Sequence, residues 1–162
     1  MSGPDLIRRI RPEDNSAVAA IIREVMTEFG AVGCGFSIED PEVDMMYEAY
    51  PEPHSVFYVI ERRGQILGCG GVGPLADADP GVCELRKMYF LPALRGDGLG
   101  KKLLGMILDD ARDIGFRVCY LETLDTMTGA RRLYEHFGFK LIDGPLGNTG
   151  HSGCNNFMTK PL

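Results

Sequence analysis

No long apolar run interrupts this 162-residue chain, and a membrane-spanning helix needs about 20 consecutive apolar residues. A membrane partner is therefore not expected. Residues 1–15, MSGPDLIRRIRPEDN, lack the apolar stretch of a signal peptide, so the protein is expected to stay in the cytoplasm, where it is made. A basic excess is missing too. The 17 Lys and Arg residues stand against 23 Asp and Glu, a net charge of -6, which argues against a nucleic-acid partner because phosphates call for a basic face. The acidic balance instead suits a cationic or amine-bearing substrate. Five cysteines (Cys34, Cys69, Cys83, Cys119 and Cys154) form no C-x-x-C pair, and His54, His136 and His151 form no ligand-spaced cluster with them. This pattern predicts reduced, mostly buried thiols and no metal. Without repeats or a low-complexity linker, the chain reads as one domain over residues 1–162, long enough to bury roughly two thirds of its unfolded surface.

Ordered elements follow from the apolar periodicity. LIRRI at 6–10 reads as a strand, and Pro12, Glu13 and Asp14 as a helix start before Val18, Ile21, Ile22, Val25, Met26 and Phe29 at helical spacing, with Gly30 as a stop. A second short helix is expected from Asp40-Pro41 through Tyr50. SVFYVIE (55–61), QILGCGGVG (65–73) and VCELRKMYF (82–90), separated by turns, read as an antiparallel meander. Leu103, Leu104, Ile107, Leu108, Ala111 and Ile114 mark one face of a helix over 99–114. With the strand RVCYLETL (117–124) it closes a right-handed, parallel β-α-β unit. A further helix through Ala130, Leu133, Tyr134 and Phe137 ends at Gly138 and leads into FKLID (139–143), and CNNFMTK (154–160) supplies a last strand.

Between strand 82–90 and helix 99–114 lies LRGDGLGKKLL, with glycines at 96, 98 and 100. It is not a phosphate loop of the G-x-x-x-x-G-K-[ST] type, since Arg95 and Lys102 occupy the required Gly and Ser/Thr positions. Nor is it G-x-G-x-x-G. What remains is a glycine-rich stretch at a helix N-terminus, where backbone N–H groups lack partners and the dipole is positive. Such a loop can cradle a pyrophosphate, or it can simply reverse the chain.

The wider pattern decides between those readings. Arg95, Gly98 and Gly100 fall in register with Arg/Gln-x-x-Gly-x-Gly/Ala, and Ala130, Leu133, Tyr134, Gly138 and Phe139 with Ala-x-x-Leu-Tyr-x-x-x-Gly-Phe. In both motifs the chain resembles the Gcn5-related N-acetyltransferase (GNAT) superfamily, most specifically over residues 82–143. The resemblance implies an α/β (α+β) fold with a mixed, splayed central sheet of six to seven strands flanked by helices. It implies acetyl-CoA as cosubstrate, an amine acceptor, and dimers, which are common among relatives. The backbone of Met88, Tyr89 and Phe90 would follow the pantetheine arm, and Gly96, Asp97, Gly98, Leu99, Gly100 and Lys101 would cradle the pyrophosphate behind Arg95. Met127 stands where many relatives carry an Asn that contacts the cofactor.

Acetyl transfer to an amine requires a base, a polarised thioester carbonyl and a proton for the departing thiolate. Tyr134 is the implied acid, although its spacing also suits a packed aromatic. Glu122 and Glu84, on the two strands flanking the gap, are the candidate bases, and either also suits a salt-bridged strand position. His151 and Cys154 either touch substrate or shape their glycine-rich turn, and His136 reads as a surface or packing residue with Glu135 as a ready local partner. Residues 30–54 should cover the acceptor. A non-catalytic acyl-CoA sensor is the contrasting reading, and a nucleotide switch is disfavoured by the missing phosphate loop.

Overall fold

In the computed structural model, which describes residues 4–33 and 35–162, one strand shows how the layers arise. Along β2 (Val56–Arg62), Val56, Tyr58 and Ile60 enter one apolar cluster while Phe57 and Val59 enter another. Side chains alternate across a strand, so a run apolar at every position must be covered on both faces. One cover is α1 (Asn15–Glu28), which buries Val18, Ile22 and Val25. The opposite face is covered by α3 (Leu99–Ile114) through Leu103, Leu104 and Ile107, with Tyr134 of α4 (Thr128–His136) joining that cluster. Burial of each such side chain contributes roughly 1.5–3 kcal/mol.

The sheet has seven strands in the order β1-β2-β3-β4-β5-β7-β6. These are β1 (Leu6–Arg9), β2, β3 (Gln65–Pro74), β4 (Val82–Phe90), β5 (Val118–Thr123), β6 (Lys140–Leu141) and β7 (Asn156–Pro161). The meander β2-β3-β4 is antiparallel, as its short polar turns require, and β4-α3-β5 is a parallel crossover. The splayed, mixed sheet expected from the sequence is therefore present.

Local differences have local causes. The expected helix over 40–50 is two short turns, Pro41–Asp44 and α2 (Met46–Ala49), because Met45 leaves the helical region at φ -135, ψ 41. Its apolar residues Val43, Met46 and Tyr50 are nonetheless buried, and Asp44 binds Arg23 of α1 at 2.8 Å. FKLID contributes only a two-residue edge strand, Lys140 and Leu141 paired with β7, although Ile142 still donates to Phe157 O at 2.9 Å. The last strand begins at Asn156 rather than Cys154, and β1 ends at Arg9, although Ile10 still donates to Phe57 O at 3.0 Å. Cys69, Cys83 and Cys119 are buried free thiols and Cys154 is half-buried, whereas Cys34 lies outside the described residues.

Candidate active site

The site begins where two strands part. β4 and β5 pair at Val82↔Val118, Cys83↔Cys119 and Glu84↔Tyr120 and no further. Beyond that point β4 stays with β3 as far as Phe90, and β5 stays with β7 as far as Thr123. From Leu85 onward the inner edge of β4 has no strand partner, so its backbone groups, apart from Phe90 O, which accepts from Arg95 Nε, are open to a ligand. A bulge marks the same place. Cys69 faces Tyr89 and Gly71 faces Arg86, leaving Lys87 and Met88 opposite Gly70, with Lys87 at φ 55. Such a bulge re-aims the side chains around it. A Cβ at Gly70 would meet Met88 and the α3 residues Leu103 and Ile107, so Met88 leans toward α3, while Lys87 reaches the other way to Asp40.

The gap opens into a groove of about 660 Å³ lined by Met88, Tyr89 and Phe90 on one side and by Met127, Ala130, Leu133 and Tyr134 on the other. Its far end is the glycine loop. Gly98 is the N-cap of α3 at φ 78, a conformation strained for any residue with a Cβ. Among the described residues, no backbone N–H from Gly96 to Lys101 has a partner. A row of free N–H groups at the positive end of a 16-residue helix suits a pyrophosphate. A Cβ at Gly100 would lie 3.0 Å from the Phe90 ring and 3.3 Å from Leu133, so glycine here also keeps the groove wall low.

The loop's side chains divide. Arg95 lines the groove, donates through Nε to Phe90 O at 3.0 Å and grips Glu28 at 2.6 and 2.7 Å. Lys101 also lines it, whereas Asp97 turns away to Arg62 at 2.7 Å and Leu99 packs on the core. This end of the groove thus offers free backbone N–H groups and two cations.

Tyr134 sits on the groove wall with its ring edge-on to Phe139 at 5.9 Å. Burial holds its phenol well above the usual tyrosine range, and its hydroxyl makes no hydrogen bond among the described residues. The donor capacity of this groove-lining residue is therefore unspent among the described residues. Met127 accepts from Thr123 Oγ1 at 3.7 Å through sulfur and presents an apolar surface there.

At the fork a smaller cavity, lined by Glu84, Glu122, Tyr89, His151 and Cys154, adjoins the groove at Tyr89 and Met127. Glu84 is buried. Desolvation raises its pKa, opposed by Arg86, whose Nε lies 2.6 Å from the carboxylate. Glu122, with a side chain only 4% exposed, accepts from Tyr120 at 2.5 Å and Thr149 at 2.7 Å. Both carboxylates predicted from the sequence reach this cavity, but only Glu84 is matched to a full cation. Burial pushes the Cys154 thiol up to about 12, which leaves it a poor nucleophile at neutral pH. His136 lies exposed against Phe137, and Glu135 binds Arg131 at 3.1 Å instead.

Several residues here were not visible as functional in the sequence. Asp40 bridges Lys87 and His151, the latter at 2.8 Å, across 111 residues of chain. Ser37 pairs with the Tyr89 hydroxyl at 2.9 Å, and Gly153 N donates to Gly35 O at 2.8 Å. The sole signal for these contacts was composition, an acid-rich 40–44 and a glycine-rich 147–153, neither of which names a partner.

Known proteins share this fold. Residues 19–139 match the model of the Acetyltransferase (GNAT) family. The uncharacterized N-acetyltransferase YjgM of Escherichia coli is 44% identical over 158 residues, covering 97% of this chain and 95% of that protein. A GNAT-family acetyltransferase of Staphylococcus aureus superposes with a TM-score of 0.85 at 22% identity, covering 98% of this chain and 99% of the other. The PaiA N-acetyltransferase of Thermoplasma acidophilum, solved with coenzyme A, gives 0.73 at 18% identity, covering 99% and 100%. The family match over most of the chain and the full-length similarity to YjgM show that the chain belongs to the GNAT acetyltransferase family.

Proposed function

We propose that this N-acetyltransferase passes the acetyl group of acetyl-CoA to a primary amine on a small cationic molecule or a peptide, by direct attack while both substrates are bound. The observation that carries this reading is the fork. It joins a groove ending in free N–H groups, with Tyr134 on its wall, to a cavity holding two carboxylates. A cytoplasmic setting, which keeps thiols reduced, would suit the neighbouring Cys83 and Cys119 on β4 and β5.

Each residue has a physical task. The N–H groups of residues 96–101, with Arg95 and Lys101, hold the pyrophosphate. The unpaired edge of β4 at Met88, Tyr89 and Phe90 aligns the pantetheine amides. A free N–H at the bulge near Met88 faces the negative charge that attack develops on the thioester oxygen. A primary amine is mostly protonated at pH 7, so Glu122 takes its proton, directly or through water. Glu84, tied to Arg86, is the less available base. Tyr134 then protonates the departing sulfur, its raised pKa keeping the proton in place until a thiolate forms.

The acceptor side supports a cation. Asp40, Glu42, Glu84 and Glu122 border the fork and its outer cavity, and the nearby cations Arg86 and Lys87 are already bound to Glu84 and to Asp40 and Glu42. Thiol release from acetyl-CoA, measured with a panel of amines, tests the reading. Turnover with at least one cationic primary amine is expected. Tight CoA binding with no release for any amine would favour a sensor instead.

A further inference from the structure

The transfer reaction liberates a proton that the buried site must lose. With the amine entering as an ammonium ion, RNH3+ and acetyl-CoA become RNH-acetyl, CoA-SH and H+. One proton ends on sulfur and one must reach solvent in every turnover. Glu122, the proposed acceptor of the second, has its carboxylate enclosed by Tyr120 and Thr149.

One side chain links this enclosed carboxylate to the outside. His151 lines both the inner cavity beside Glu122 and a more open one of about 290 Å³ bordered by Asp40, Glu42 and Asn148. Its Nδ1 lies 3.9 Å from Glu122 Oε1, and its Nε2 lies 2.8 and 2.9 Å from the two oxygens of Asp40. A carboxylate accepting from Nε2–H fixes the neutral tautomer whose Nδ1 lone pair faces Glu122. We infer that His151 is a proton relay: once side-chain motion closes the 3.9 Å gap, Nδ1 takes the proton from Glu122 while Nε2 passes its own to Asp40, and rotation or exchange with water resets the ring. No oxidant or further reactant is needed.

The groups facing His151 support this direction of flow. From β4 come Glu84 and Lys87, from β5 Glu122, from the segment before Pro41 Asp40, and from its own loop Thr149 and Cys154. Asp40 is bound by His151 and Lys87, which hold its carboxyl below the usual range despite burial. It is therefore a weak proton holder that delivers to water at the cavity mouth. The same contact fastens the glycine-rich loop to the N-terminal half, so a purely structural role has to be separated from the relay.

The relay rests on the proposed reaction, and the test distinguishes the two. Acetyl-CoA turnover is measured with 1,4-diaminobutane, spermidine and a lysine peptide for wild type, Glu122→Gln, His151→Gln and His151→Ala. CoA affinity and melting temperature serve as folding controls. Glutamine can still donate to Asp40 but cannot carry a proton through. His151→Gln and His151→Ala are expected to be equally slow, by about 10- to 100-fold, at or below the lower end of general acid–base effects. Free imidazole should restore His151→Ala, with methylimidazoles ranked by basicity, and the non-basic isostere pyrrole should not. Wild-type turnover in His151→Gln, or no rescue of a slow, folded His151→Ala, would overturn the relay. Full activity in Glu122→Gln, or no turnover by wild type with any of the three amines, would overturn the parent reading and the relay with it.

Discussion

The two halves of the fork are built from different materials. On the proposed cofactor side, the groups offered to a ligand are largely backbone, the free N–H row from Gly96 to Lys101 and the unpaired edge of β4, with Arg95 and Lys101 beside them, all supplied by one stretch of chain from β4 into α3. On the acceptor side they are side chains gathered from afar, Asp40 from one end of the chain, Lys87, Glu84 and Glu122 from the middle, and His151 from the other end. A backbone cradle binds a constant ligand and tolerates change around it, whereas a side-chain cluster can be re-chosen for each acceptor. The contrast predicts that cofactor binding and acceptor chemistry separate under mutation.

Glu122→Gln should be the most damaging change on the acceptor side, slowing turnover by about 10²–10⁴-fold with CoA affinity unchanged by calorimetry. The loss should shrink at alkaline pH, where more amine is already neutral. Glu84→Gln should be milder, because Glu84 is paired with Arg86. If Glu84→Gln shows the pH-dependent loss and Glu122→Gln does not, the base is misassigned. Tyr134→Phe comes next, at about 100-fold in single-turnover acetyl transfer, the smaller end of the range because a thiolate with a free pKa near 8.5 leaves fairly well unassisted. A rate within about twofold of wild type would return Tyr134 to packing alone, since general acid catalysis contributes far more than that.

The cofactor side should break in the opposite manner. Gly98→Val forces a branched residue into the left-handed region at φ 78, costing about 1–2 kcal/mol or more. Gly100→Val instead crowds Phe90 at 3.0 Å. Either should weaken CoA binding about tenfold or more, since 1.4 kcal/mol is a factor of ten, and undiminished affinity in a folded variant would contradict the cradle at that position.

Legibility followed the same division. The β4-α3-β5 crossover, the glycine loop and α4 could be read within a residue or two, since helical periodicity, Gly115 as a stop and motif spacing all act over short distances. The bulge at Lys87 left no trace, because VCELRKMYF reads as a regular strand and the irregularity arises from pairing with Gly70 and from Asp40. The 40–50 segment carried a helical apolar pattern that tertiary docking onto α1 satisfied with two short turns. His151 stood out in the sequence, but its partner lay 111 residues away. Glu28, the clasp on Arg95, likewise looked like an ordinary helix-end residue.

A smaller effect concerns stability. Asp40 is held below its ordinary pKa by His151 and Lys87 against desolvation. Its contribution is fully present above the unfolded value near 3.9 and is lost as pH falls through the lower folded value. Asp40→Asn should cost about 1.5–3 kcal/mol at neutral pH, the range for hydrogen bonds to charged groups, and should flatten stability against pH in that acid window while leaving CoA affinity intact. Urea unfolding from pH 2 to 7 would show it. An unchanged pH profile would mean that the Asp40 bridge contributes nothing to folding.

The central claim is that the parting of β4 and β5 is where the thioester meets the amine, and a crystal structure of the CoA complex tests it most directly. The account predicts the pyrophosphate against the N–H groups of residues 96–101, the pantetheine amides on the β4 edge at Met88–Phe90, and the sulfur within hydrogen-bonding reach of the Tyr134 hydroxyl. A sulfur placed outside the fork, with Tyr134 turned into the core away from it, would contradict the account.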